Sequence, residues 1–384
     1  MDYKIVHIAP DEKFINSAYD QFEAILPDQN LFLILVNQTA VTPLNYVSLK
    51  KNMRIESASI KNAKVIAKKL QSVRYVVFHS FSYQASIIAN RLPKETIIIW
   101  LLFGYEIYNN PLIINPSKLY GDLTIKLNDN KDSLWKQLLR IPYFRIFKGT
   151  RSPNNECLFA MRRTSFIGLP YKEEYEFIKK KIDNAKLSFF KFSYYPIEKM
   201  LADSQSTVTG NSVLLGNSAF IANNHLEILD KLKDFDLKDQ QVICPLSYGD
   251  NDYAQLIKEQ GEKYLGSAFE PLLDFMPLHK YNSYIQSCGF AVMNHYRQQA
   301  VGNVLVMLWM GAKVFLNERN TLFDYLKRLG LFVYSINKDL NSDQLSTLLT
   351  PLQREHNRRL LSLEVKDEIL KNELQSFFNL TGIK

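Results

Sequence analysis

A chain of 384 residues is longer than one hydrophobic core usually serves, so two or more domains are expected. Hydrophobic residues make up 46% and charged residues 22%, with no Pro/Gly-rich or low-complexity tract, which excludes a disordered or fibrous chain. The net charge is +8, and residues 126–191, with fifteen Lys/Arg against seven Asp/Glu, hold an excess equal to that of the whole chain, which points to a local anionic partner.

The opening MDYKIVHIAPDEKF has no long apolar stretch and no small-residue cleavage site, and it reads as a first β-strand. Secretion is not expected, and a cytoplasmic setting is. Short apolar runs at residues 4–9, 31–36, 74–79 and 96–102 read as strands, separated by segments such as 59–71 with helical periodicity. Continuous rather than alternating apolar strands suggest a parallel sheet covered on both faces. The longest apolar runs, 97–103 and 304–310, fall far short of the roughly 20 residues that span a bilayer.

Residues 131–148 place Trp135, Tyr143, Phe144 and Phe147 among Lys131, Lys136, Arg140, Arg145 and Lys148, as a segment at a membrane surface does. Pro142 breaks any single helix there into two short amphipathic pieces. The plainer reading is that the apolar residues join the core while the cations are solvated. Nucleic acid is the other anionic candidate, but no motif for it is present.

A polar stretch at 193–211, with Pro196 and Gly210, reads as a linker. Beyond it the plan repeats, with strands at 212–216, 241–244, 289–294, 313–316 and 331–334 and helices from about Asn223, Asp252, Pro277, Gly302 and Leu322. Residues 355–377 carry apolar positions at helical spacing and are expected to form one long C-terminal helix. The expected domains are therefore 1–195 and 211–355, followed by a helix at 356–384. Two doubly wound, Rossmann-like α/β domains facing across a cleft follow from this pattern.

Arg297-Gln-Gln-Ala-Val-Gly302-Asn303 joins a strand to an apolar helix. A helix opening at that glycine would aim free N–H groups and its positive end at an anion such as a diphosphate. Arg297 would pair with a phosphate, and Asn317 or Glu318 at the end of the next strand would accept from a ribose. The alternative is that Gly302 only permits a tight turn. Gly216, Asn217 and Ser218 lie at the end of the strand opening the second domain, where open α/β sheets bind ligands. Asn223 or Asn224 is a candidate helix cap, and His225 reads as a partly buried helix residue before a catalytic one.

His79 and Glu106 follow first-domain strands and are the candidate bases for an acceptor hydroxyl. Asp250-Asn251-Asp252 matches an Asp-x-Asp metal pattern, but Asp252 is expected to cap a helix there. Cys157, Cys244 and Cys288 are odd in number and widely spaced, as free thiols are.

The segments LLGNS, NNHLEIL, YNSYIQSCGF, RQQAVG and GAKVFLNERN, in this order over residues 214–334, resemble the bacterial TDP-N-acetylfucosamine:lipid II N-acetylfucosaminyltransferases. In the first half, Phe78-His79-Ser80 and Trp100-Leu-Leu-Phe-Gly104-Tyr-Glu106-Ile-Tyr108 look like that family's histidine motif and its tryptophan-to-glycine, acid, tyrosine motif. Leu101 and Phe103 stand where the family has a histidine and a second tryptophan, Glu106 where an Asp is expected, and Asn109 where an acid is expected.

The resemblance implies a GT-B glycosyltransferase that adds 4-acetamido-4,6-dideoxygalactose from a TDP-sugar to an undecaprenyl-diphosphate-linked saccharide, with retention of configuration. It also implies a peripheral enzyme on the cytoplasmic face of the inner membrane, using no metal or other cofactor, with Gly216, Asn217, Ser218, Arg297, Gly302 and Asn303 at the donor. The rival readings are transfer from another nucleotide sugar, a sugar-nucleotide epimerase of the same architecture, and a non-catalytic nucleotide-sugar-binding scaffold at the membrane.

Overall fold

The computed structural model describes residues 3–37, 44–127, 143–201, 203 and 205–383, apart from the side chains of Leu278 and His279. The chain divides into two compact units: Met1–Asn115 with Asn130–Tyr195 and Glu368–Lys384, and Pro116–Asp129 with Pro196–Asp367.

The first unit runs β1 (Ile5–Pro10), α1 (Ile15–Ile25), β2 (Asn30–Val36), β3 (Met53–Ser57), α2 (Ile60–Lys69), β4 (Tyr75–His79), α3 (Tyr83–Ala89), β5 (Ile97–Leu101), α4 (Tyr105–Tyr108), α5 (Pro153–Arg162), β6 (Phe166–Leu169), α6 (Lys172–Ile182) and β7 (Ser188–Lys191). Its sheet has the order β3-β2-β1-β4-β5-β6-β7, and every neighbouring pair is parallel. The continuous apolar runs form its centre, and all five residues of β4 are buried, because a parallel sheet is covered by helices on both faces. The strands that patterning missed lack such a run. In β3 only Met53 is buried, β7 is a four-residue edge, and β6 is four residues long.

The second unit runs α7 (Ile197–Met200), β8 (Val213–Leu215), α8 (His225–Leu232), β9 (Val242–Pro245), α9 (Asn251–Leu265), β10 (Phe269–Leu272), α10 (Leu278–Ser287), β11 (Phe290–Met293), α11 (Val301–Met310), β12 (Lys313–Leu316), α12 (Thr321–Arg328), β13 (Val333–Ser335), α13 (Ser342–Ser346) and α14 (Pro351–Val365). Its all-parallel sheet has the order β10-β9-β8-β11-β12-β13. In each sheet the unit's first strand lies inside, and the order reverses beside it, between β1 and β4 and between β8 and β11. Such a reversal leaves a crevice at the strands' carboxyl ends, where doubly wound folds bind ligands.

Two features depart from the expected division. Residues 116–127, from the first half of the chain, pack on the second unit: Glu227 of α8 accepts from the N–H groups of Leu123 (3.0 Å) and Thr124 (2.8 Å) and from the Thr124 hydroxyl (2.6 Å), and Asn224 Oδ1 accepts from Gly121 N (3.0 Å). The single C-terminal helix is replaced by α14 and a further helix, α15 (Asp367–Thr381), because Lys366 is extended at φ −71° and ψ 150°. The break separates two loyalties. α14 belongs to the second unit, whereas α15 buries Leu374, Phe377 and Phe378 in the first unit's core beside Ile5, Phe22 and Val77, with Phe377 stacked 3.8 Å from Phe190.

Candidate functional site

In the second unit, β8 ends in a turn that only glycine tolerates. Gly216 has φ +67°, its N–H donates to Val292 O (3.0 Å), and a Cβ there would lie 2.4 Å from His225 Nε2. The next N–H, of Asn217, donates to Asn223 Oδ1 (3.0 Å), and Asn223 Nδ2 donates to the carbonyls of Ser218 and Phe220, both at 3.0 Å. Asn223 thus ties the turn together from within and does not cap α8. The residue before that helix, Asn224, sits in the left-handed region with no side-chain cap bond.

His295, just after β11, locks the turn from the other side. Its Nε2 is 2.8 Å from Asn223 Oδ1 and 3.1 Å from Asn217 Oδ1, and because an amide oxygen only accepts, Nε2 carries the hydrogen. Nδ1 is therefore bare, and it is buried with no hydrogen-bond partner. Burial, then Arg297 and His225, push the ring's pKa down to about 3, so it stays neutral. His225 is also buried and neutral, with its pKa lowered to about 3 by burial and Nδ1 3.2 Å from the Tyr253 hydroxyl. It is a packing residue behind Gly216.

The helix after β11 does not open at Gly302. α11 begins at Val301, Ala300 before it takes the left-handed turn (φ 55°), and Gly302 is an ordinary helical residue. What survives is the helix end itself, which has no side-chain cap for its first N–H groups. Asn303 in its first turn bonds the hydroxyl of Tyr281. Arg297, in the preceding loop, donates from Nε to Gln299 Oε1 (2.9 Å), and its charge reaches His295 and Tyr120, the latter from the segment that packs here out of sequence.

At the end of β12, Asn317 is buried. It donates to Asn294 Oδ1 (2.9 Å) and accepts from Arg319 N (3.1 Å), while Asn294 and Asn224 exchange bonds with each other's carbonyls at 3.2 and 3.0 Å. Glu318 accepts from Ser335 Oγ and from Asn337 Nδ2 (2.6 Å), and although burial opposes it, these bonds hold its carboxyl below the usual range. Both side chains already hold partners of their own. Asp250, not Asp252, caps α9, accepting from Tyr253 N at 2.8 Å.

In the first unit, His79 ends β4 as a link in a buried chain. Asn30 Nδ2 donates to Glu23 Oε1 and Leu26 O, both at 2.8 Å, which leaves Asn30 Oδ1 facing His7 Nε2 at 3.3 Å. His7 Nε2 therefore carries hydrogen, His7 Nδ1 accepts from His79 Nε2 (3.1 Å), and the Tyr194 hydroxyl donates to His79 Nδ1 (3.1 Å). Burial keeps both rings neutral, with His79 pushed down to about 3.

Glu106, in α4, is 4% exposed. Its Oε1 accepts from Trp100 Nε1 (3.0 Å) and Phe103 N (3.2 Å), while Oε2 has no partner. Burial pushes its carboxyl up despite these bonds. Over the carboxyl ends of β1, β2 and β4 lies a cavity of about 510 Å³ whose wall includes Asp11, Asn37, His79, Ser80, Gln84 and Tyr105. Its wall mixes polar and apolar groups, and among the described lining residues Asp11 alone carries a full charge, its carboxylate accepting from the N–H groups of Asn45, Tyr46 and Val47 at 2.6 to 3.1 Å.

Lys131, Trp135, Lys136, Arg140 and the expected break at Pro142 in the basic aromatic stretch lie outside the described residues, whereas Tyr143–Lys148 lie within them. His7, His295, Asn294 and Tyr194 escaped sequence reasoning, because their roles depend on partners 23 to 115 positions away. The only local signal was the placing of His295 directly before Tyr296 and Arg297.

Residues 168–360, just over half of the chain, match the family model described as 4-alpha-L-fucosyltransferase glycosyl transferase group 56. Among solved structures, the chain is similar to a glycosyltransferase from Rickettsia africae (TM-score 0.61, 12% identity, 100% of both chains covered). It is also similar to Anabaena HepE in complex with UDP and glucose (0.62, 8%, 98% of this chain and 99% of that one). A third similarity is to an alpha,alpha-trehalose 6-phosphate synthase from Burkholderia multivorans (0.60, 11%, 100% and 99%). At these identities the structures speak for the fold, which is GT-B.

Proposed function

The chain belongs to the 4-alpha-L-fucosyltransferase family, glycosyl transferase group 56, and is a GT-B glycosyltransferase; on that premise we propose that it transfers a deoxy-acetamido sugar of the N-acetylfucosamine type from a TDP-sugar to an undecaprenyl-diphosphate-linked saccharide. The observation that carries this reading is the uncapped start of α11, with Arg297 in the loop before it and the Gly216–Asn223 turn locked beside it by His295. Free N–H groups at the positive end of a ten-residue helix suit a diphosphate, and a guanidinium adds the charge that a departing diphosphate needs. The UDP bound by the Anabaena relative supports a nucleoside diphosphate as the donor's leaving part.

The first unit takes the acceptor in this reading. Its cavity, part apolar and part lined by Asn37, His79, Ser80 and Gln84, suits the ring faces and the hydroxyl and acetamido groups of a saccharide. The bond between the donor's anomeric carbon and the diphosphate breaks, the acceptor oxygen bonds to that carbon, and the acceptor's proton goes to Glu106. His79 lines that cavity but has both nitrogens committed in the buried chain, so in this reading the proton goes to Glu106, whose Oε2 has no partner and whose chain neighbour Tyr105 lines the cavity. A polyprenyl-linked acceptor stays in its bilayer, so the enzyme works as a peripheral protein at the cytoplasmic face of the inner membrane. Among the described residues no helix is long and apolar enough to cross one.

Thermal shift with TDP-, UDP- and GDP-sugars tests the donor assignment. The cognate nucleotide raises the stability by about 2.7 kcal/mol at a hundredfold excess over its Kd, and no shift with any of the three rejects the reading. Arg297→Ala is expected to weaken binding of the stabilising nucleotide by about 1.5 to 3 kcal/mol, roughly ten- to 150-fold, through loss of a charge-assisted partner. Calorimetry on the folded variant reads this directly, and an unchanged affinity removes Arg297 from the site.

A further inference from the structure

A short π-helical turn at Phe144–Lys148 in the first unit is held firmly on one side and left bare on the other. On the held side, Phe144 meets Tyr83 edge-on at 5.8 Å, Lys64 Nζ donates to Lys148 O (3.0 Å), Arg91 Nη2 donates to Gly149 O (3.1 Å), and the Tyr83 and Thr150 hydroxyls are 2.6 Å apart. On the bare side, Ile146 is 73% and Phe147 75% exposed, with Tyr143 at 45%. Two adjacent large apolar side chains presented this way on an anchored turn are not the solvated half of an ordinary surface.

Cations surround them. Lys61, Lys64 and Lys68, spaced three and four residues apart on α2, share a face beside Phe147 and Lys148, with a surface groove of about 430 Å³ between. Arg145 is exposed on the same turn, and Lys148 Nζ lies 5.7 Å from the Tyr143 ring. Of the described residues 143–148, only Phe144 turns toward the interior, so the rival reading of core side chains with solvated cations does not describe this turn.

We propose that Ile146 and Phe147 form a wedge that enters an anionic lipid surface, with Lys61, Lys64, Lys68, Arg145 and Lys148 lying against its phosphates. The chemistry fits this partner better than nucleic acid or protein. A nucleic acid would use the cations but has no use for an exposed isoleucine, and an apolar protein partner would not call for five cations around the contact. A lipid headgroup layer over acyl chains uses both, with the aromatic and aliphatic tips below the phosphates and the lysines snorkelling above. The inference rests on the reading of a membrane-held acceptor and names the surface that meets that membrane.

The test uses the full chain and vesicles of phosphatidylcholine alone or with an equal part of phosphatidylglycerol. Wild type is expected to co-sediment with the anionic vesicles only and to be released by high salt. Ile146→Ser with Phe147→Ser is expected to lower the partition coefficient about tenfold or more at every salt concentration at which wild type still binds, and Lys61→Gln with Lys68→Gln to lower it several-fold at low salt alone. All four side chains are exposed or surface-lying, and near-ultraviolet circular dichroism checks that the variants fold. Binding by the serine variant equal to wild type, no binding by wild type, or binding of a single-stranded RNA with no dependence on Ile146 and Phe147 overturns the proposal. Calorimetric donor binding, measured in parallel, separates the two readings. Vesicle binding without nucleotide binding keeps the wedge and discards the proposed donor, and the reverse result discards the wedge alone.

Discussion

Gly216→Val will destabilise the second unit by about 3 kcal/mol or more, whereas Gly302→Ala will leave its stability unchanged or raise it by about 0.5 to 1 kcal/mol. Both glycines stand in strand-to-helix connections and look alike in sequence. At Gly216, φ is +67°, a region that costs a β-branched residue more than the 1 to 2 kcal/mol paid by alanine. Any Cβ there would also fall 2.4 Å from His225 Nε2 and 2.8 Å from Asn223 Oδ1.

Neither neighbour can yield. His225 is fully buried against Tyr253, and Asn223 is the centre of the turn that His295 locks. At Gly302 the backbone is helical, and the nearest atom to a new Cβ, Met200 Sδ, is at 3.4 Å, an ordinary contact. Alanine there lowers the entropy of the unfolded chain without a clash. Urea denaturation of both variants gives the contrast, and a Gly216→Val protein as stable as wild type would mean that the turn is not built as described.

That contrast shows where the sequence was legible. The interior strands could be read because burial on two faces demands near-continuous apolar runs: IVHIAP, YVVFH and IIIWL declare themselves without any partner in view, even with His7 inside the first. MRIES at one edge and SFFK at the other are half solvated and short, and so resemble loops.

In the site, the local signals were real but were assigned to neighbouring residues. The turn before α11 needs a left-handed residue, and glycine is the usual choice, so Gly302 was the natural expectation, yet Ala300 takes that conformation two positions earlier. The same one- or two-residue slip moved the α9 cap from Asp250 to Asp252. What could not be read at all was placement set by distant partners. Nothing local in LTIKL says that it belongs against Glu227, one hundred residues on, and nothing in residues 355–377 says that the apolar stripe is divided between two cores at Lys366. The buried histidines follow the same rule: His79 was visible as a polar residue ending a strand, but its commitment to His7 and Tyr194 appears only when β1, β4 and residue 194 come together.

Glu106→Gln is the second substitution expected to have a large effect, and it separates catalysis from folding by moving them in opposite directions. If Glu106 takes the acceptor's proton, its amide cannot, and turnover at saturating donor should fall by about 10² to 10⁴ while donor affinity is kept, since the nucleotide contacts are proposed for other residues. Folding responds differently. Glutamine still offers an oxygen to Trp100 Nε1 and Phe103 N, so the two hydrogen bonds at 3.0 and 3.2 Å survive.

The charge does not survive, and burial had made that charge unwelcome: the folded carboxyl titrates above the usual glutamate value of about 4.3. Below that pH the folded and unfolded chains both hold the proton, and the wild type bears no penalty. As pH rises from there through the raised folded value, the unfolded chain releases the proton more readily, and the wild type loses stability from this group. The glutamine variant, neutral throughout, should therefore gain on the wild type with rising pH and level off once the folded carboxyl has ionised. Denaturation midpoints at several pH values, paired with single-turnover rates, test both halves. A variant that transfers sugar at the wild-type rate places the base elsewhere, and a stability difference that is flat with pH shows that Glu106 is not held in a desolvated pocket.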